Sequence, residues 1–265
     1  GLMERKRTAS CSLCLVLTGL TRIKPGRPAK PRLPVASTSQ QGALTVNTLT
    51  KLALGMMGQL KPKPALATLT TLALPSPQCS GGMPLMDALQ RRESQREFDT
   101  GALSPQLLSN LLWAAGGVNR PQLGGRTAPS AMNSQEVQLY VAMPQGLARY
   151  EPTGHRLQTT VASDVRGVTG YQDFVDTAPL DLIYVADHAP MKLVPAAMRE
   201  RYAFAAAGAM AQNVYLFCAA HGLSTVIRAW FDHQALSAAM GLGADQHLLL
   251  CQTVGMPKVA PTRSR

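Results

Sequence analysis

Arg91-Arg92-Glu93-Ser94-Gln95-Arg96-Glu97-Phe98 is the stretch whose reading decides what kind of chain this is. It places three guanidinium groups and a hydroxyl within six residues, directly after the short apolar-periodic run 83–89. The guanidinium fork is planar, permanently charged and able to make paired hydrogen bonds to phosphate or imide oxygens. Such a cluster at a helix end can grip a phosphorylated or carbonyl-rich planar ligand from one side. Basic residues also complement the negative end of a helix, and charge runs are common on exposed faces. The octet alone leaves both readings open, and its surroundings must decide.

Charge divides the chain into two parts. The 265 residues carry a formal charge of +11 at pH 7, which by itself invites a nucleic-acid or membrane reading. Residues 1–74 hold eleven basic side chains and one acid, Glu4, whereas residues 75–265 hold fifteen basic and fourteen acidic side chains. The surplus belongs to the leader, so no nucleic-acid partner is expected for the rest, whose share of the 46% hydrophobic content supports a sizeable core. Residues 1–41 mix Lys, Arg, Pro, Ser and Thr without apolar periodicity, and such segments bury too little surface to offset ordering entropy. The expected organisation is a basic, disordered leader over 1–80, one folded domain over 81–260 and a tail at 261–265.

The leader contains two local patterns. Cys11 and Cys14 form a lone CxxC without the second ligand pair of a zinc site or an adjacent βαβ pattern, so no metal is expected. Cys79, Cys218 and Cys251 are too scattered for a disulfide framework. Lys61 and Lys63, the apolar run 65–74 and Pro75-Ser76-Pro77-Gln78 give residues 56–78 the layout of a secretory signal peptide, although Thr68, Thr70 and Thr71 interrupt it and no A-x-A site follows. A periplasmic location follows if that stretch is a signal peptide, and a cytoplasmic one if it is not. A natural start at Met56 or Met57 would make residues 1–55 an upstream extension. No other stretch approaches the roughly eighteen consecutive apolar residues of a bilayer span, so no stable membrane association is expected.

From Gly82 onward the pattern is that of a mixed α+β domain. Residues 84–92 read as a helix, and Ser104-Pro105 opens a second with a capping side chain followed by proline at the first helical position. Leu107, Leu108, Leu111, Leu112 and Ala115 form its core stripe before Gly116-Gly117 stops it. A glycine-rich polar loop runs through Arg120 and Gly124-Gly125-Arg126 to Gln135. Strands are expected at 137–142, 147–150 with 154–157, 180–185, 223–227 and 248–254, with a short helical turn at 171–175 and a short helix at 235–240. The longest helical pattern, 195–220, closes at His221-Gly222. Its centre, Ala205-Ala206-Ala207-Gly208-Ala209, lets a backbone or a flat ligand come close. Gly255-Met256-Pro257-Lys258 leaves a lone cation past the last strand.

The octet resembles the N-terminal flavin-binding signature of the nitroreductase family, an R-R-x-S-x-R-x-F pattern. Leu111-Leu112-Trp113-Ala114-Ala115-Gly116-Gly117, Arg126-Thr127-Ala128-Pro129-Ser130-Ala131-Met132-Asn133, residues 208–213 and Val254-Gly255-Met256-Pro257-Lys258 are similar to the family's later blocks and fall in its order. Ordered blocks are far more specific than any one of them. The resemblance covers about residues 82–258 and not the leader. It implies an α+β fold with a central, mainly antiparallel sheet wrapped by helices, an intertwined homodimer, and FMN bound at the subunit interface.

The resemblance also implies roles. Arg91, Arg92, Glu93, Ser94 and Arg96 would surround FMN, with Arg92, Ser94 and Arg96 on its phosphate and pyrimidine edge and the Glu93 side chain turned away. Pro129, Ser130, Ala131, Met132 and Asn133 would come from the partner subunit, Asn133 offering an amide that both donates and accepts. Gly208 would lie near the ring and Lys258 would reach the phosphate, where the family often has a more basic motif. Arg228 is a further candidate that a structural ion pair explains equally well. The implied activity is FMN-dependent oxidoreduction, hydride passing from NAD(P)H through flavin N5 to a flat, electron-poor nitroaromatic or quinone in ping-pong fashion. A flavin-storing or flavin-sensing protein is the alternative, because these blocks hold no evident proton donor and His155, His221, His233 and His247 are scattered.

Overall fold

The computed structural model of the chain describes residues 46–56 and 70–258. The Cys11 and Cys14 pair, most of the signal-like stretch and the C-terminal tail lie outside the described residues. In chain order, α1 (Val46–Met56) and β1 (Thr71–Ala73) precede α2 (Leu85–Arg91) and α3 (Pro105–Gly116). A small ribbon, β2 (Val118–Arg120) with β3 (Gly125–Arg126), leads to β4 (Val137–Met143), β5 (Gly146–Glu151) and β6 (Arg156–Val161). Then come β7 (Leu180–Asp187), the long α4 (Ala196–His221), β8 (Ser224–Arg228), α5 (His233–Met240) and β9 (Gln246–Gly255).

The main sheet has seven strands in the order β1-β6-β5-β4-β7-β9-β8, and every neighbouring pair is antiparallel. The architecture is therefore α+β, as the sequence implied. Local chemistry sets the helix ends. Ser104 Oγ accepts the Leu107 N–H at 3.3 Å ahead of Pro105, Asp232 Oδ1 caps α5 by accepting from Ala235 N–H at 2.9 Å, and Gly222 closes α4 with φ 66°, a left-handed conformation that glycine adopts without a Cβ penalty.

Two apolar layers cover the two faces of the sheet. Leu182 and Tyr184 of β7 belong to the cluster with Leu111, Ala207 and Met210 of α3 and α4, whereas Ile183 and Val185 belong to the cluster with Leu236 and Met240 of α5. Burial on both faces explains why β7 reads as a continuous apolar run rather than an alternation. The α4 helix is long and apolar enough to cross a membrane by length and composition; it lies across the sheet with Ala203, Ala206, Ala207, Ala211, Val214 and Cys218 buried. Alanines there bring its backbone close to the strands.

The boundary expected near residue 81 falls too late. The β1 strand pairs with β6 at the sheet edge, Leu72 opposite Leu157, and the chain then crosses α3 as a strap. Ser109 Oγ donates to the Pro75 carbonyl at 2.6 Å, Gln106 Nε2 to the Ser76 carbonyl at 2.9 Å, and Gln78 N–H to Asn110 Oδ1 at 2.9 Å. The α1 helix is also docked: Thr48 Oγ1 donates to Asp173 Oδ1 at 2.8 Å and Lys51 Nζ lies 2.5 Å from Asp176. Three exposed strand residues carry no buried alternation, so their order comes from partners remote in sequence and leaves no periodic signal.

Candidate functional site

The octet forms where α2 ends. Arg92 leaves the helix with φ −57° and ψ 117°, and the following chain runs beside β8, the last strand of the sheet. Gln95 N–H donates to the Thr225 carbonyl at 3.0 Å, and Ser224 Oγ donates to the Gln95 side chain at 2.6 Å. Phe98 bridges to Pro257 and is buried against Phe174, with ring centroids 5.3 Å apart. Asp99 N–H donates to the Met256 carbonyl and Lys258 N–H to the Glu97 carbonyl. The turn after β9 is thereby laid against the octet, which brings Lys258 beside the arginine segment although 160 residues separate it from Phe98.

Tyr215 of α4 organises the centre of this segment, and the sequence reading missed it. Its hydroxyl lies 2.7 Å from Ser94 Oγ and accepts the Ile227 N–H at 3.0 Å, while the Arg92 guanidinium sits over its ring, 5.4 Å from the centroid. The phenol is buried, and Ser94 Oγ is the acceptor available for its proton among the described contacts. Tyr215 therefore donates to Ser94, which leaves the serine hydroxyl free to donate outward. The only sequence signal was an aromatic hydroxyl two residues past the 208–213 block.

Electrostatics sharpens the picture. Arg91, Arg92, Arg96 and Lys258 make no ion pair among the described residues, even though Glu93 and Glu97 are chain neighbours. Glu93 instead accepts from Gln95 Nε2 at 2.6 Å. A cavity of about 250 Å³ opens here, lined by Arg91, Glu93, Gln95, Tyr215, Thr225 and Pro257 among others. Arg91 lines that cavity, and Arg92 sits over the tyrosine whose hydroxyl meets Ser94; cations without internal counter-ions on one segment are suited to an anionic ligand.

The loop 129–133 is held elsewhere. It borders a small cavity with Ala206 and Met210 of α4, five or more residues along the helix from Tyr215, or about 8 Å at ~1.5 Å per residue. No hydrogen bond joins it to the octet among the described residues. Its backbone is unusual, with Met132, Asn133 and Gln135 at φ 53°, 53° and 50°. Left-handed conformations at non-glycine residues cost on the order of 1–3 kcal/mol each and gather at ligand clamps. Local bonds enforce them: Ser130 Oγ accepts the Gln135 N–H at 2.9 Å, Ser134 Oγ stands 2.7 Å from both the Ala131 carbonyl and Glu136, and Arg126 Nε donates to Gln135 Oε1 at 2.8 Å.

The remaining candidates take distinct places. Gly208 is exposed on α4, and a Cβ there would meet nothing within 4 Å. Arg228 is buried: its guanidinium donates to Asp181 at 2.7 Å and to the Thr253 hydroxyl, and it stacks over Phe174. Of the two accounts open for Arg228, the structural ion pair is the one observed.

A cation-rich edge segment packed on a buried tyrosine, with a strained small-residue loop apart from it, sets the chain within a defined class of α+β proteins. The Nitroreductase family profile matches residues 89–256, and the chain belongs to the nitroreductase family, a family of oxidoreductases. It is 32% identical over 161 residues to a nitroreductase homologue of Methanocaldococcus jannaschii, covering 57% of this chain and 81% of that protein. A nitroreductase-type crystal structure from Ralstonia eutropha JMP134 is 48% identical and superposes with a TM-score of 0.72 over 76% of this chain and 96% of that one. A Desulfovibrio desulfuricans structure solved in complex with FMN shares the fold at 22% identity, with a TM-score of 0.50 over 70% of this chain and 92% of that one.

Proposed function

We propose that the chain is an FMN-dependent oxidoreductase that oxidises NAD(P)H and reduces a flat, electron-poor acceptor of the nitroaromatic or quinone type. The observation that carries this reading is that Arg91, Arg92, Arg96 and Lys258 make no ion pair among the described residues, on the segment that holds Ser94 and the turn laid against it. A phosphate needs such cations, and an imide edge needs such donors, so the residues present fit the group. The Desulfovibrio desulfuricans relative was solved with FMN, which agrees with this choice. When bound, FMN supplies the hydride acceptance and return that no side chain here can perform.

The chain supplies placement. Arg92, held over Tyr215, and Ser94, receiving the phenol proton, would offer donors to a carbonyl edge of the flavin. A cation at that edge favours the negative charge of the reduced ring. Lys258 and Arg96 would hold the phosphate.

The working unit on this reading is a homodimer in which the 129–133 loop of one protomer closes over the octet of its partner. The separation of loop and octet along α4 supports it, as do exposed Met132, at 70%, and Phe204, at 40%, near open Gly208. Two joined chains would cover these groups.

Absorbance of the purified protein tests the reading. A flavin band with about one FMN per chain, lost or severely reduced in Arg92→Ala, is the expected result. A colourless protein that stays so after soaking in FMN would overturn it.

A further inference from the structure

A second cation, remote from the octet in the chain, is built to hold something. Arg126 ends β3 half-buried, and its Nε–H donates to Gln135 Oε1 at 2.8 Å. That amide is oriented from its other end, because Gln135 Nε2 donates to the Gly124 carbonyl at 2.7 Å. The Nη groups of Arg126 have no side-chain partner among the described residues. Of the two groups that act on Arg126 through space, the Tyr150 hydroxyl bonds His155 Nδ1 at 2.8 Å and Glu151 pairs with Arg156 at 2.9 Å. Burial disfavours the Arg126 charge and lowers its pKa, so an anion arriving there would restore what desolvation removes.

The space around this guanidinium has a definite character. Arg126 and Gln135 line two neighbouring clefts, of about 230 and 560 Å³, and the larger is within the size range of small-molecule sites. Its walls include Trp113, Val118, Leu123 and Pro152, with Asn133 of the strained loop at the same cleft. The Trp113 indole N–H donates to the Val118 carbonyl at 3.1 Å, which fixes the ring plane. Leu123 is 77% exposed, an apolar side chain left uncovered at the cleft that the half-buried Arg126 also lines.

We propose that this cleft binds a flat aromatic acid, its carboxylate on the Arg126 guanidinium and its ring against Trp113, Leu123 and Pro152. A planar carboxylate matches the guanidinium fork in a paired geometry that a neutral ring cannot use. That such an acid is the electron acceptor rests on the functional reading above; its binding does not.

Equilibrium dialysis of the protein as purified, against 4-nitrobenzoate and against nitrobenzene, tests the site, with flavin content read from the absorbance of the same samples. The acid should bind tighter than its neutral analogue by about tenfold or more, and Arg126→Gln should erase that preference. Gln135→Glu, which sets a carboxylate on the same guanidinium, should do likewise and serves if Arg126→Gln does not fold. Equal binding of acid and neutral analogue, or a preference that survives both substitutions, overturns the proposal. A colourless protein that still selects the acid sinks only the flavin reading, and a yellow one without selection sinks only this site.

Discussion

The Tyr215 hydroxyl bridges Ser94 Oγ, at 2.7 Å, and the Ile227 amide, at 3.0 Å, so one phenol ties the octet to both α4 and β8. Tyr215→Phe keeps the ring under Arg92 and removes only the bridge. The Ile227 N–H then loses its acceptor and Ser94 its orienting donor, each a cost of about 1 kcal/mol. FMN affinity, titrated by quenching of flavin fluorescence, should fall about five- to tenfold with the cation–π contact intact. An unchanged affinity would show that Ser94 needs no direction from the phenol.

Arg228 and Asp181 form a buried pair, with side chains 4% and 0% exposed and 2.7 Å between them. Removing one partner leaves a charge without compensation, and Asp181→Leu should cost about 3–5 kcal/mol. The double substitution Asp181→Leu with Arg228→Met should recover much of that loss, because an apolar pair needs no solvation. Urea denaturation of the single and the double variant checks this, and equal losses in the two would contradict it.

Acid should weaken the fold in a defined window. Ser109 Oγ donates to the Pro75 carbonyl, so it accepts from His155 Nε2 at 2.7 Å, and Nδ1 then accepts from the Tyr150 hydroxyl at 2.8 Å. Burial lowers the His155 pKa below its ordinary 6.5, against a smaller opposing effect from the Pro75 carbonyl. Burial, then His247 and Arg199, lower that of His188, with Asp245 and Glu200 opposing. A depressed folded pKa means that the neutral form is favoured in the fold. The contribution is thus present above 6.5 and lost as pH falls through the folded values. Melting temperature should be level from about pH 8 to 7 and drop below 6.5, and His155→Gln should remove part of that acid limb.

Thiol reactivity should separate the described cysteines. Cys79 is exposed, while Cys218 and Cys251 are buried and burial pushes both thiols up, so they stay protonated. Peptide mapping after brief native labelling with a maleimide should find Cys79 modified and the other two untouched. Labelling at Cys251 without unfolding would contradict the packing of β9 against β7.

Much of the scaffold was legible because local rules coincided with the tertiary answer. Ser104-Pro105 opens a helix in any context, glycine after His221 stops one, and the apolar run at 180–185 sits where a strand covered on both faces is found. The α1 helix and β1 strand were not legible, since a basic leader composition concealed them and their partners, Asp173, Asp176 and residues 156–158, lie far along the chain. Tyr215 was hidden for a related reason: it follows the family-like block and gains its role only when Ser94 and Ile227 come to it from two other elements.

The order of elements, the α+β class and the presence of an arginine-rich segment beside small-residue blocks were written in residue types and spacing, because capping, periodicity and charge act over a few positions. Which cations remain unpaired, which arginine is buried on Asp181, and where Arg126 meets an apolar cleft are questions of distance between remote segments. Hydrogen bonds and ion pairs act over a few ångströms, so only the folded chain, by laying β9 beside the octet and β3 beside the 129–135 loop, decides them.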